Sequence, residues 1–121
     1  MEDITGVGNA IATIESMRTA GDNESAYYEI MEKAGWLEHR YYDFMTTAPI
    51  DVTEELKRLP TADFRLCCAL MTMLLREDHF SNGSFGYRIA DGSVDRIILR
   101  MKTLRTCQSI VAVVNVFLSL N

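Results

Sequence analysis

Ile4, Val7, Ile11 and Ile14 recur at alternating steps of three and four residues, which lays them along one stripe of a helix from about residue 3 to 19. Gly21-Asp22-Asn23 stops that helix. A second helical pattern runs from Ser25 to Ala34, with Tyr27, Ile30, Met31 and Ala34 on one face, and Gly35 stands where a left-handed residue closes a helix. Leu37, Tyr41, Phe44 and Met45 predict a third helix, closed by Pro49, because the residue before a proline is pushed out of the helical region. Asp51 then suits the N-cap of "VTEELKRL", with Glu54 three residues on, as in a capping box.

After Pro60, Thr61 is placed to cap "ADFRLCCALMTMLLRED", a helix apolar nearly all round and so expected in the middle of a core. "REDHFSNG", Arg76 to Gly83, crowds polar and ionisable groups after that run. The reading here is punctuation: Arg76, Glu77 and Asp78 surface into water, and Ser81 or Asn82 caps the next helix. "GSFGYRIADG" reads as a short helix ended by Gly92. Ser93 then caps a last one, with Val94, Ile97, Ile98, Met101 and Leu104 as its apolar stripe. A hairpin over residues 85–98 is the rival, since Asp-Gly between β-branched and aromatic residues is a strong turn signal, but the stripe fits a helical period better. The apolar run Ile110 to Leu120 suits helix or strand. The expectation is an all-α, compact single-domain bundle of about six short helices over residues 1–121.

Composition changes this picture little. A chain of 121 residues holds one core, and 48% hydrophobic with only two prolines and seven glycines argues against disorder. The acidic "MEDITGVGNAIATIE" lacks the basic and apolar regions of a signal peptide, and the apolar run at 110–120 is shorter than the roughly 20 residues a membrane-spanning helix needs. A cytoplasmic protein without a membrane segment is expected. Cys67, Cys68 and Cys107 are odd in number and make no disulfide framework, so they read as reduced, buried thiols.

Charge changes it more. Met1 to Pro60 carries twelve acids against five bases, a net −7, whereas the remainder carries seven bases against five acids, a net +2. Such a first half repels nucleic acid and attracts a basic surface.

The segment "LCCALMTMLLREDHFSNGSFGYRIADGSVDRIILRMKTL", residues 66–104, has a recognisable sequence of features. An apolar helix ends in Arg76, Glu77 and Phe80, Gly83 follows, Ala90 and Gly92 close a short helix, and Ile97, Ile98, Leu99 and Arg100 mark the last. In these residues the chain resembles an uncharacterised bacterial and phage family of unknown function. The resemblance implies an all-helical domain and supports the punctuation reading of "REDHFSNG". It implies no activity.

Candidate chemistry fails on spacing. "TGVGNAI" has Gly6 and Gly8 of a phosphate-binding turn, but no strand precedes it and Ile11 occupies the third glycine's place. Cys67, Cys68, Cys107, His39 and His79 include no CxxC or HxxxH pair, so no metal or other cofactor is expected. Glu77, Asp78, His79, Ser81 and Ser84 are too close in sequence to converge as an acid–base or nucleophilic set, so no catalytic residue is assigned and the chain is read as a non-enzyme. Tyr27, Tyr28, Trp36, Tyr41, Tyr42 and Phe44 crowd an acidic stretch where base stacking wants cations, while tyrosine and tryptophan are also interface hot-spot residues.

These observations point to binding and away from turnover. The expected function is a small acidic inhibitor or adaptor, encoded by a phage or other mobile element. It would block the basic nucleic-acid channel of a host defence nuclease in the manner of anti-CRISPR proteins. Its expected partner-binding residues are Glu24, Tyr28, Glu29, Glu32, Glu38, Tyr42 and Asp43. The alternative is a helix-turn-helix DNA-binding regulator using residues 81–105, with Arg96, Arg100, Lys102 and Arg105 on its last helix. An exposed run at 110–120 would pair two copies.

Overall fold

The computed structural model describes residues 4–21 and 23–119, and within them every side chain except those of 4–8, 79, 80, 108, 109 and 112. Six α-helices follow one another: α1 (Ile4–Arg18), α2 (Glu24–Ala34), α3 (Val52–Leu56), α4 (Phe64–Phe80), α5 (Ser84–Ala90) and α6 (Ser93–Ser119). Two 3-10 turns, Tyr41–Phe44 and Leu59–Thr61, lie between α2 and α4, and no strand occurs among the described residues. The fold is all-α around a single buried cluster, as the periodicity predicts.

α4 is the hub. From Cys67 to Leu75 every residue is buried, which is what an all-round apolar helix requires, and α3, α5, α6 and the turn Tyr41–Phe44 pack about it. α6 presents Val94, Ile97, Ile98 and Met101 to the same core, and α5 inserts Phe85, whose ring meets Tyr27 of α2 edge-on at 5.0 Å. α1 runs antiparallel along α6. Glu15 pairs with Lys102 at 2.7 Å, and Arg18, one turn on, borders the same groove as Asp95. Ile14 and Met17 are its buried residues, while the side chains of Ile4 and Val7, the start of the predicted stripe, lie outside the described residues.

Local signals set most helix ends. Asn23 caps α2 by accepting from the Ala26 N–H at 3.2 Å, and Gly35 closes it at φ 72°, a left-handed conformation that glycine adopts without steric cost. Asp51 caps α3 as expected, accepting from the Glu54 N–H at 3.2 Å.

Several expectations need correction. The third predicted helix is only the four-residue turn Tyr41–Phe44. Side chains elsewhere take the backbone donors a helix would have used: the Glu38 N–H donates to Thr72 Oγ1 at 3.1 Å, and the N–H groups of Thr46 and Thr47 donate to the Glu55 carboxylate, each at 2.9 Å. Thr61 does not cap α4; Asp63 does, accepting from the Leu66 N–H at 2.8 Å, because Ala62 is held extended with its carbonyl accepting from Arg100. Neither Ser81 nor Asn82 caps α5. Its Phe85 N–H is taken by Asp78 Oδ1 at 2.9 Å, so the carboxylate comes from the end of α4. Likewise Asp91 accepts from the Ser93 N–H at 2.8 Å, which relieves Ser93 of the capping role and leaves it buried. Asp91 and Gly92 make the turn into α6 in place of a hairpin, and the C-terminal apolar run continues α6 as helix to Ser119, with Leu120 outside the described residues. At 27 residues α6 is about 40 Å long and not short.

Candidate functional site

The predicted partner-binding residues gather along α2 and the segment after it. Glu24 opens α2 and is half-buried, Glu29 and Glu32 are exposed one turn apart, and Tyr42 and Asp43 are exposed on the 3-10 turn. Tyr28 is less available: it is half-buried and packs against the core. Glu38 is half-buried, its backbone N–H anchored to Thr72.

Cations sit among these acids. Lys33 pairs with Glu29 at 2.9 Å, Arg40 with Asp43 at 3.0 Å and Arg65 with Glu38 at 3.2 Å. Each Lys33–Glu29 partner reinforces the other, holding the carboxyl below and the ammonium above its usual range, first through their hydrogen bond and then through charge. Five carboxylates against three cations leave this face at −2, well short of the count for the first half of the chain. Glu24 and Glu32 have no ion pair among the described residues. Glu2, Asp3 and Asp22 lie outside the described residues.

The Arg76–Gly83 stretch works as a joint. Glu77 holds Arg88 of α5 through two bonds of 3.0 Å, Arg88 reaches Asp91 at 3.6 Å, and Asp78 caps α5. The Glu77 hydrogen bond raises the Arg88 pKa despite desolvation, and the Ser93 hydrogen bond lowers that of Asp91. The side chain of His79 lies outside the described residues. No group of three His, Cys, Asp or Glu among the described residues converges as a metal site. Cys67 and Cys68 are buried, and desolvation pushes both thiols up to about 12. Cys107 departs from expectation: it is exposed, because it falls where α6 leaves the core.

The cations assigned to DNA reading are mostly occupied. Arg100 donates to the Ala62 carbonyl at 3.0 Å, Lys102 pairs with Glu15, and the Arg105 guanidinium stacks on Phe64 at 3.8 Å. Arg96 is exposed. Gly6 and Gly8 lie within α1 and form no phosphate loop.

The most distinctive surface lies in the apolar run at 110–120, which the sequence left open between helix and strand and whose exposure would pair two copies. Beyond Arg105 the helix α6 leaves the core, and Ile110, Val111, Val113, Val114, Val116, Phe117 and Leu118 are 41–67% exposed. Leu99, counted with the family features, faces outward as well at 64%. Its three- and four-residue spacing to the tail was a readable signal. No helix of the described residues is long and apolar enough to cross a membrane.

No curated protein and no solved structure matches this chain. One family model does, over residues 12–106, which takes in α2 to α5, the last seven residues of α1 and the packed half of α6. The exposed apolar end of α6 lies beyond that match. The chain belongs to DUF6508, a family of unknown function.

Proposed function

We propose that this chain is a protein-binding inhibitor or adaptor that docks a basic partner surface through α2 and the turn after it. The nucleic-acid channel of a host defence nuclease is the class of partner this fits. The observation that carries the reading is the exposure of Glu29 and Glu32 on α2 together with Tyr42, which is 54% exposed. Tyrosine supplies contact area and the carboxylates supply attraction. The ion pairs on this face do not remove that attraction. Exposed pairs are screened by water and contribute little, so a basic partner can exchange with Lys33 or Arg40 at small cost. The regulator reading has less support, with Arg100, Lys102 and Arg105 engaged inside the chain.

The test is affinity capture of partners from a host lysate, followed by binding measurements on the purified partner. Affinity should fall steeply with salt, and Glu29→Lys with Glu32→Lys should weaken it by about tenfold or more. A partner whose affinity ignores both salt and these reversals would remove the reading.

A further inference from the structure

We infer that two copies of this chain pair through one face of α6, antiparallel and around a two-fold axis. Leu99, Thr103, Thr106, Ile110, Val113 and Phe117 are spaced four, three, four, three and four residues apart, which is the seam spacing of two helices packed along their lengths. All six are exposed. The core stripe of the same helix, Val94, Ile97, Ile98 and Met101, is buried, so one helix carries two faces and only one is satisfied within the chain.

The area suits a second copy. The apolar members of the seam, Leu99, Ile110, Val113 and Phe117, are 57–67% exposed and together offer on the order of 500 Å². That is toward the upper end of the largest apolar patch of a typical monomer, roughly 300–600 Å², and with Thr103 and Thr106 between them the seam supplies much of the roughly 800 Å² each partner gives to a stable interface.

Charge sets the direction. The first part of α6 carries Asp95, Arg96, Arg100 and Lys102 beside the seam, whereas from Thr106 to Ser119 the helix has no ionisable charge. Parallel pairing would set Arg96 and Arg100 against their own copies. Antiparallel pairing sets each charged half against the other copy's neutral half, with Leu99 against Phe117, Thr103 against Val113 and Thr106 against Ile110. It also places the two cores at opposite ends of the pair, since residues 94–101 face their own core. Such a contact is closed, because the same patch serves both copies. The inference holds whether or not the acidic face has a partner.

Sedimentation equilibrium on the full chain tests it. The wild type should show a mass of about twice 13.7 kDa at concentrations near 100 μM and dissociate on dilution. Val113→Lys with Phe117→Lys should give a monomer with unchanged helical circular dichroism, because both side chains are exposed in the single chain. A wild type that stays monomeric, or that grows into open aggregates, overturns the inference. So does a double variant that folds and remains dimeric. Direction is read by oxidising a mixture of Leu99→Cys and Phe117→Cys proteins, each with Cys107→Ser. A link between 99 and 117 is expected, and a link from 99 to 99 overturns the antiparallel arrangement.

Discussion

Glu55 offers the sharpest energetic test of how the segment between α2 and α4 is held. Its side chain is 0% exposed, yet it is ionised: Thr46 and Thr47 each donate an N–H and a hydroxyl to its carboxylate, and Arg58 pairs with it at 3.0 Å. Burial alone would raise its pKa. The threonine hydrogen bonds outweigh that and bring it from an ordinary 4.5 down to about 2. Because the folded value lies below the unfolded one, the stabilisation is fully present above about pH 4.5 and is lost as pH falls toward 2. At 1.36 kcal/mol per unit the difference is roughly 3 kcal/mol, of which about 2 kcal/mol is gone by pH 3. Glu55→Gln should therefore lower the unfolding free energy by about 3 kcal/mol at pH 7, since an amide cannot accept four donors as a carboxylate does and presents N–H groups to N–H groups. Urea titrations of both proteins from pH 7 to pH 3 measure this. The gap between wild type and variant should narrow by about 2 kcal/mol across that range. A gap that stays constant with pH would refute the assignment of the stabilisation to the ionised carboxylate.

Two further outcomes follow from burial. Under native conditions a maleimide should modify Cys107 alone, with Cys67 and Cys68 reacting only after unfolding, because both are buried and their thiols titrate near 12; mass spectrometry counts the adducts, and three on the native protein would contradict the packing of α4. Phe85→Ala should cost about 3–5 kcal/mol in denaturant unfolding, since the ring is fully buried against Tyr27 and α5 has no other buried residue to hold it on the core. A loss under about 1 kcal/mol would mean α5 is not anchored there.

The helices were legible where a single period ran unbroken. The stripes of α2 and the first part of α6 and the all-round apolarity of α4 each matched the buried faces, as did Ile14 of the α1 stripe, because the core selects the side chains facing it and leaves that selection in the spacing. The cap at Asp51 was legible, with acceptor and donor three residues apart, whereas at α4 the same spacing belongs to Asp63 and the expected Thr61 was two residues early. Caps were not legible when the acceptor comes from a neighbouring helix, as when Asp78 closes the start of α5. The predicted acidic face was readable as composition only. Its neutralisation by Arg65, 27 residues from Glu38 in sequence, follows from folding and leaves no local mark.

By itself the sequence determined that this chain is all-α, which of its stretches turn and which helix stands at the centre, because those depend on periodicity and on residues in register with one another. Only the tertiary structure decided that the segment from 36 to 50 forgoes a helix in favour of Glu55 and Thr72, and that α6 outruns the core. Both outcomes turn on competition between groups distant along the chain: buried donors go to whichever acceptor folding brings near, and an apolar face is covered only as far as there is core to cover it.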